Sequence, residues 1–140
     1  MLGGVGFISP SDQLNIASIG AGGKGRSDIL NASVNGRERV IALCDIDKNG
    51  KHGVLVSRKK FSKANFYFDF RKLLDKEKDL DAITISTPDH THASIAMEAM
   101  ERGIHVYIQK PLTHNIKEAR LLTEKARELK IVTQMGNQGA

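Results

Sequence analysis

The chain has 140 residues, 26% charged and 40% hydrophobic, with a net charge of +5. That is the size of one ordinary domain with a proper core, and no segment reaches the roughly 20 apolar residues that span a bilayer. Five Phe, two Tyr and no Trp leave little for base stacking, and only Arg58-Lys59-Lys60 concentrates positive charge, which argues against a nucleic-acid partner.

Residues 1–13 contain Gly, Ser and Pro without any hydrophobic period and read as a disordered leader. A secretory signal needs a cation ahead of its apolar stretch, and none precedes Asp12. The leader is either plain or the trimmed remainder of an export signal, which leaves the compartment open between cytoplasm and periplasm.

Residues 14–140 form the second unit. The apolar run 14–19 leads directly into Gly20-Ala21-Gly22-Gly23-Lys24-Gly25, a helical pattern follows, and a second apolar run ends at Asp45, twenty residues after Gly25. A glycine pattern alone is weak evidence, but strand, turn, helix and acid at this spacing form a dinucleotide-binding fingerprint. Gly20 allows the sharp turn, Gly22 lets the backbone approach a pyrophosphate, and Gly25 lets the helix pack closely on the sheet. Gly23 and Lys24 open a helix whose unpaired N–H groups and positive dipole end suit phosphate. Asp45 is spaced to accept from the adenosine ribose hydroxyls and to repel a 2′-phosphate, so the expected cofactor is NAD. The bland alternative is a mobile turn with a strand-end carboxylate.

Apolar runs alternate with helical patterns along the rest of the chain, which predicts βαβ units in a doubly wound α/β fold of the Rossmann type. Strands are expected at 14–19, 40–44, 65–68, 82–86, 105–108 and 131–133, in the order 3-2-1-4-5-6, with helices on both faces. Cys44 falls in a central strand and reads as an inert buried thiol. Ala93, Ala96, Met97 and Met100 share one helical face, closed by Gly103, so the methionines are core filler. Asn115 and Glu118 have the spacing of a capping box, and Ile116, Ala119, Leu122, Ala126 and Leu129 follow along one side. The residues after Thr133 are expected to pair with nothing.

Two polar segments fall at expected strand ends. Ser86-Thr87-Pro88-Asp89-His90-Thr91-His92 follows the fourth strand, with Pro88 breaking it and Asp89 or Thr91 able to cap the next helix. His90 and His92 do not share a helical face and have no third ligand nearby, so hydrogen bonding to a cofactor or substrate is preferred to zinc. Gln109-Lys110-Pro111 ends the fifth strand. A lysine facing the crevice could accept or position the proton that an alcohol loses on oxidation, and a cis Lys110–Pro111 bond would turn it inward. A solvated strand-end lysine is an equal reading on physical grounds.

Together the glycine turn with Asp45, the segment from Ser86 to His92, and His105-Val106-Tyr107-Ile108-Gln109-Lys110-Pro111-Leu112 resemble the glucose–fructose oxidoreductase, inositol dehydrogenase and rhizopine-catabolism family, Gfo/Idh/MocA. The match runs from Leu14 onward. The resemblance implies a nucleotide domain followed by an α/β substrate domain that is absent from these residues, a sugar, cyclitol or polyol substrate, and a homo-oligomer. By that likeness Lys110 is the catalytic lysine beside the nicotinamide, and Thr87, Pro88 and His92 line the cofactor crevice; Ser86, His90 and Lys110 are expected to bind the cofactor as well. By the same likeness Gln109 stands where the family's Glu contacts ribose. Gln keeps an acceptor there and adds donors, but cannot serve as an acid or base. The chain is therefore expected to be the NAD-binding half of an oxidoreductase, inactive alone. The alternatives are an NAD-dependent glycosidase and a non-catalytic NAD-sensing module.

Overall fold

The alternation of apolar and helical segments is realised as β1 (Asn15–Ile19), α1 (Gly23–Ala32), a 3-10 turn (Val34–Gly36), β2 (Arg39–Cys44), α2 (Leu55–Lys60) and β3 (Asn65–Tyr67). It continues with α3 (Phe70–Lys76), β4 (Ala82–Ile85), α4 (Asp89–Met100), β5 (His105–Gln109), α5 (Ile116–Leu129) and β6 (Thr133–Gly136). This computed structural model describes residues 12–50 and 52–137. All of the expected leader except Asp12 and Gln13 lies outside the described residues, and Gln13 is tied down by its side-chain amide, which donates to the Arg37 carbonyl at 2.7 Å.

The six strands form one parallel sheet in the order β3-β2-β1-β4-β5-β6, as the sequence predicts. Its central strands are covered on both faces, which is why they read as continuous apolar runs. Ile19, Ile83, Ile85, Leu73, Met100 and Ile108 belong to the larger core, and Ile16, Ile29, Leu43 and Val54 to a second one beneath the glycine turn. Cutting one of these side chains to Ala would cost about 2–5 kcal/mol through lost burial and the cavity left behind. Ala96 and Met100 are buried and Ala93 and Met97 pack against them, as their spacing predicts. In α5 only the middle of the expected stripe turns inward: Leu122 is buried, whereas Ile116 is 74% exposed.

Helix boundaries explain two departures. Pro88, at φ −58°, occupies the N-cap position of α4 and has no side-chain cap to offer, so neither Asp89 nor Thr91 is the N-cap, although Asp89 Oδ1 accepts from the first-turn N–H of His90 at 2.8 Å. The fixed proline φ already sets the entry into the helix. At the far end of α5, Lys130 adopts φ +56° and the Ile131 N–H donates to the Ala126 carbonyl at 2.9 Å. That closure uses Ile131 to end the helix and delays β6 to Thr133–Gly136, beyond the predicted 131–133. Gln134, Met135 and Gly136, expected to be unpaired, instead pair with Tyr107, Ile108 and Gln109. The α5 start agrees with expectation: Asn115 Oδ1 accepts from the Glu118 N–H at 3.0 Å.

Strand register positions the site. Ile19 pairs with Cys44 on one side and Ile85 on the other, and Ile85 pairs with Ile108. The next residue in each strand is Gly20, Asp45, Ser86 or Gln109, so all four leave the carboxyl edge in one row. The order reverses between β1 and β4, which is the switch point where open α/β sheets form their ligand crevice.

Candidate functional site

The glycine turn has the backbone that its sequence requires. Gly20 sits at φ +78°, and a Cβ there would lie 2.7 Å from the Ser86 carbonyl oxygen. A Cβ on Gly25 would collide with the Gly20 carbonyl, and one on Gly22 with the His52 carbonyl. The turn is therefore closed to a side chain at these three positions, whereas at Gly23, with φ +47°, the nearest atom to a Cβ would be the His52 carbonyl oxygen at 3.8 Å. The N–H groups of Lys24 and Gly25 lie in the first turn of α1, where no carbonyl one turn back is available within the helix. Gly23 N–H is held by the His52 carbonyl at 2.6 Å.

Asp45 reaches back into this turn. Its Oδ2 accepts from the Gly22 N–H at 2.7 Å and its Oδ1 from the Asp47 N–H at 2.9 Å. Cys44, immediately before it, is buried, and burial, followed by the charges of Asp45 and Asp69, pushes its thiol up to about 12. The inert-thiol reading therefore agrees with the structure.

Asp28 is a site residue that the sequence reading missed. Its side chain is 2% exposed, yet it accepts from Lys24 Nζ at 2.6 Å, Ser86 Oγ at 2.7 Å and Gln109 Nε2 at 2.9 Å. These donors come from α1 and from the ends of β4 and β5. Lys24 thus points at Asp28, with its Nζ also 3.1 Å from Ser27 Oγ. The only sequence signal was the i, i+4 spacing of Lys24 and Asp28, which ordinarily marks a surface pair.

Across the crevice, His92 is 1% exposed, with Nδ1 2.9 Å from the Pro111 carbonyl and Nε2 2.8 Å from that of Thr87. It lies beneath the crevice and ties the two polar segments together. Thr91 Oγ1 lies 2.7 Å from both Thr87 Oγ1 and the Pro88 carbonyl. His90 is exposed beside Asp89, whose other oxygen faces His114 Nδ1 at 3.6 Å. The His90 backbone N–H, and then His114, hold the Asp89 carboxyl below its ordinary range. His114, also missed, belongs to the Lys110–Pro111 loop.

Gln109 is buried, and its Oε1 accepts from the Lys110 N–H at 3.2 Å. The Lys110–Pro111 peptide is cis, as the sequence reading allowed. Lys110 itself is exposed rather than desolvated. Among the described residues, no group of three or more His, Cys, Asp or Glu could hold a metal ion. No helix of the described chain is long and apolar enough to cross a membrane.

A doubly wound parallel sheet, a glycine turn with no room for a Cβ at Gly20, Gly22 or Gly25, and a carboxylate one residue beyond β2 define a Rossmann dinucleotide-binding domain. Residues 14–137 match the oxidoreductase family with an NAD-binding Rossmann fold, and the chain belongs to that family, Gfo/Idh/MocA. It is 33% identical over 61 residues to the NAD(+)-dependent scyllo-inositol 2-dehydrogenase of Bacillus subtilis, covering 44% of this chain and 18% of that protein. It is 31% identical over 119 residues to a glycosyl hydrolase family 109 protein of Akkermansia muciniphila, covering 81% of this chain and 25% of the relative. The crystal structure of myo-inositol 2-dehydrogenase from Lactobacillus plantarum superposes with a TM-score of 0.76 at 24% identity, over 89% of this chain and 36% of that one. The chain thus spans about a quarter or less of these two curated relatives.

Proposed function

We propose that this domain is the NAD-binding part of an oxidoreductase that moves a hydride between nicotinamide and a carbinol carbon of a sugar, cyclitol or related polyol. The observation that carries this reading is the single row of Gly20, Asp45, Ser86 and Gln109 at the switch point, with Lys110 next in line. The scyllo-inositol dehydrogenase relative supports the substrate class.

The residues fit the cofactor. The first-turn N–H groups of Lys24 and Gly25 would face the pyrophosphate, with Gly22 and Gly23, whose N–H groups are held by Asp45 and the His52 carbonyl, shaping the turn around it. Asp45 would accept from the adenosine ribose hydroxyls. Ser86, Thr87, Pro88, His90 and Gln109 would bound the nicotinamide end, with His92 supporting them from below. NAD supplies the hydride acceptor when bound. Lys110, as the free amine, would take the hydroxyl proton as the hydride leaves the carbon, and its ammonium would return that proton in the reverse direction. A further domain would complete the substrate site, so these 140 residues alone would not turn over.

Titrating NAD and NADP into the protein by calorimetry tests the first part, with tighter binding of NAD expected. Equal affinities would remove the ribose role from Asp45. A substrate screen with a chain extended by its substrate domain tests the second. The similarity to a family 109 glycosyl hydrolase supports a second reading, an NAD-dependent glycosidase in which the hydride is returned. Net NADH formation supports the dehydrogenase, whereas sugar release with NAD needed only in catalytic amounts supports the glycosidase.

A further inference from the structure

We infer that Asp28 is a positioning residue that fixes the side-chain amide of Gln109 beside Lys110, and that it makes a neutral residue at position 109 a requirement of this chain. The inference rests on the functional reading above only for its consequence in NAD binding. The pairing itself stands on geometry.

An ionised carboxylate only accepts hydrogen bonds. The Gln109 group 2.9 Å from Asp28 Oδ2 must therefore be its NH2, and its oxygen then faces the Lys110 N–H at 3.2 Å. Orientation of the amide is thus dictated by Asp28. Packing confines it further: a Cβ added to Gly136 of β6 would lie 2.8 Å from Gln109 Nε2, so the neighbouring backbone approaches closely. The same Asp28 oxygen accepts from Ser86 Oγ at 2.7 Å, so one buried carboxylate aligns the ends of β4 and β5. Lys24, 45% exposed, is the cation that balances it.

A glutamate at 109 would set a second carboxylate against Asp28 in a buried position. Like charges at that separation do not both ionise readily, so such a pair holds a proton between its members and titrates as a unit. Neutrality at 109 is therefore linked to charge at 28. A plain ion pair between Lys24 and Asp28 would impose no such link.

The test compares Gln109→Glu, Asp28→Leu and the double variant Asp28→Asn/Gln109→Glu with the unaltered protein. Thermal unfolding is followed from about pH 5 to about pH 8. A folded pair that keeps its proton to higher pH than the unfolded chain loses stability as pH rises, so Gln109→Glu should fall behind by about 5 °C in Tm across this range. The double variant, an amide facing a carboxylate again, should regain the unaltered pH profile. Asp28→Leu, which keeps a similar volume but offers Gln109 and Ser86 no acceptor, should weaken NAD binding about tenfold in calorimetry. A Gln109→Glu profile parallel to that of the unaltered protein, or a double variant as pH-sensitive as Gln109→Glu, would overturn the pairing. Unchanged NAD affinity in Asp28→Leu, with a cooperative melting curve showing that it is folded, would overturn the positioning role. Failure of the unaltered protein to bind NAD would count against the functional reading instead, while the unfolding profiles, which need no cofactor, would still decide the pairing.

Discussion

The backbone N–H of Gly22 donates to Asp45 Oδ2 at 2.7 Å, which makes the glycine turn and the acid at the end of β2 one hydrogen-bonded unit. The second carboxylate oxygen holds the Asp47 N–H at 2.9 Å and so shapes the loop that returns over the turn. Asp45 therefore supports the cradle, in addition to the ribose role proposed for it.

These two roles separate in variants. Asp45→Asn keeps an acceptor for Gly22 but removes the charge that opposes a 2′-phosphate, so the preference for NAD over NADP should shrink about tenfold with Tm nearly unchanged. Asp45→Ala leaves the Gly22 N–H without that partner, at a cost of about 1–3 kcal/mol if water does not replace it, and should weaken both cofactors. Dissociation constants for both nucleotides and a melting curve separate the effects. A preference unchanged in Asp45→Asn would remove the discriminating role.

Gly25→Ala is expected to be the most damaging small change in the turn. Its Cβ would meet the Gly20 carbonyl, a backbone atom that cannot swing aside. Destabilisation of about 1–3 kcal/mol and loss of NAD binding should follow. Gly103→Ala serves as the control: its φ of +79° strains any side chain, but nothing lies within 4 Å. It should lower Tm while leaving NAD affinity intact, and equal losses of affinity in both variants would contradict the steric account.

The strand order and the crevice were legible because buried parallel strands are apolar throughout and the glycine fingerprint fixes where the first turn must be. The position of β6 was not. Ile131 has strong strand propensity, but its N–H ends α5, and Gln134 and Gly136 become strand residues through pairing with β5. Asp28 was hidden for a similar reason: a carboxylate one helical turn from a lysine looks like a solvated pair until β4 and β5 bring Ser86 and Gln109 against it. The family resemblance implies a crevice role for His92, and packing sets its two ring nitrogens against the Pro111 and Thr87 carbonyls, contacts that no local pattern shows. Local pattern identified the polar segments, and tertiary contacts decided which of their side chains are buried.

Cys44 should resist alkylation in the folded protein. With its thiol pushed up to about 12, chiefly by burial, the thiolate is scarce near neutrality. Labelling with iodoacetamide at about pH 8 should be slow until denaturant unfolds the chain. Rapid labelling of the native protein would mean that β2 opens readily. The same displacement from a free thiol's ordinary value implies that stability declines as pH rises from about 9 toward the folded value.

Lys110→Met tests the proposed proton transfer. The substitution keeps an unbranched side chain of similar length at an exposed position, so folding and NAD binding should be retained. Hydride transfer in a chain carrying its substrate domain should fall about 10²–10⁴-fold, the usual contribution of a positioned acid or base. Stopped-flow absorbance of NADH measures it. Activity within a few-fold of the unaltered enzyme would remove the catalytic assignment.

Asp89 offers a pH signature of the contact between the two polar segments. Its carboxyl is held below the ordinary range first by the His90 backbone N–H and then by His114. A depressed carboxyl contributes stability that is present above the unfolded chain's value, about 3.9, and is lost as pH falls through the lower folded value. Asp89→Asn retains an oxygen for the His90 N–H but loses the charge facing His90 and His114 at 3.7 and 3.6 Å. Its Tm should lie below that of the unaltered protein at about pH 6, and the two should converge as pH falls toward about 3. A constant gap across that range would mean that the loss does not follow the Asp89 charge and would leave the His114 contact without energetic weight.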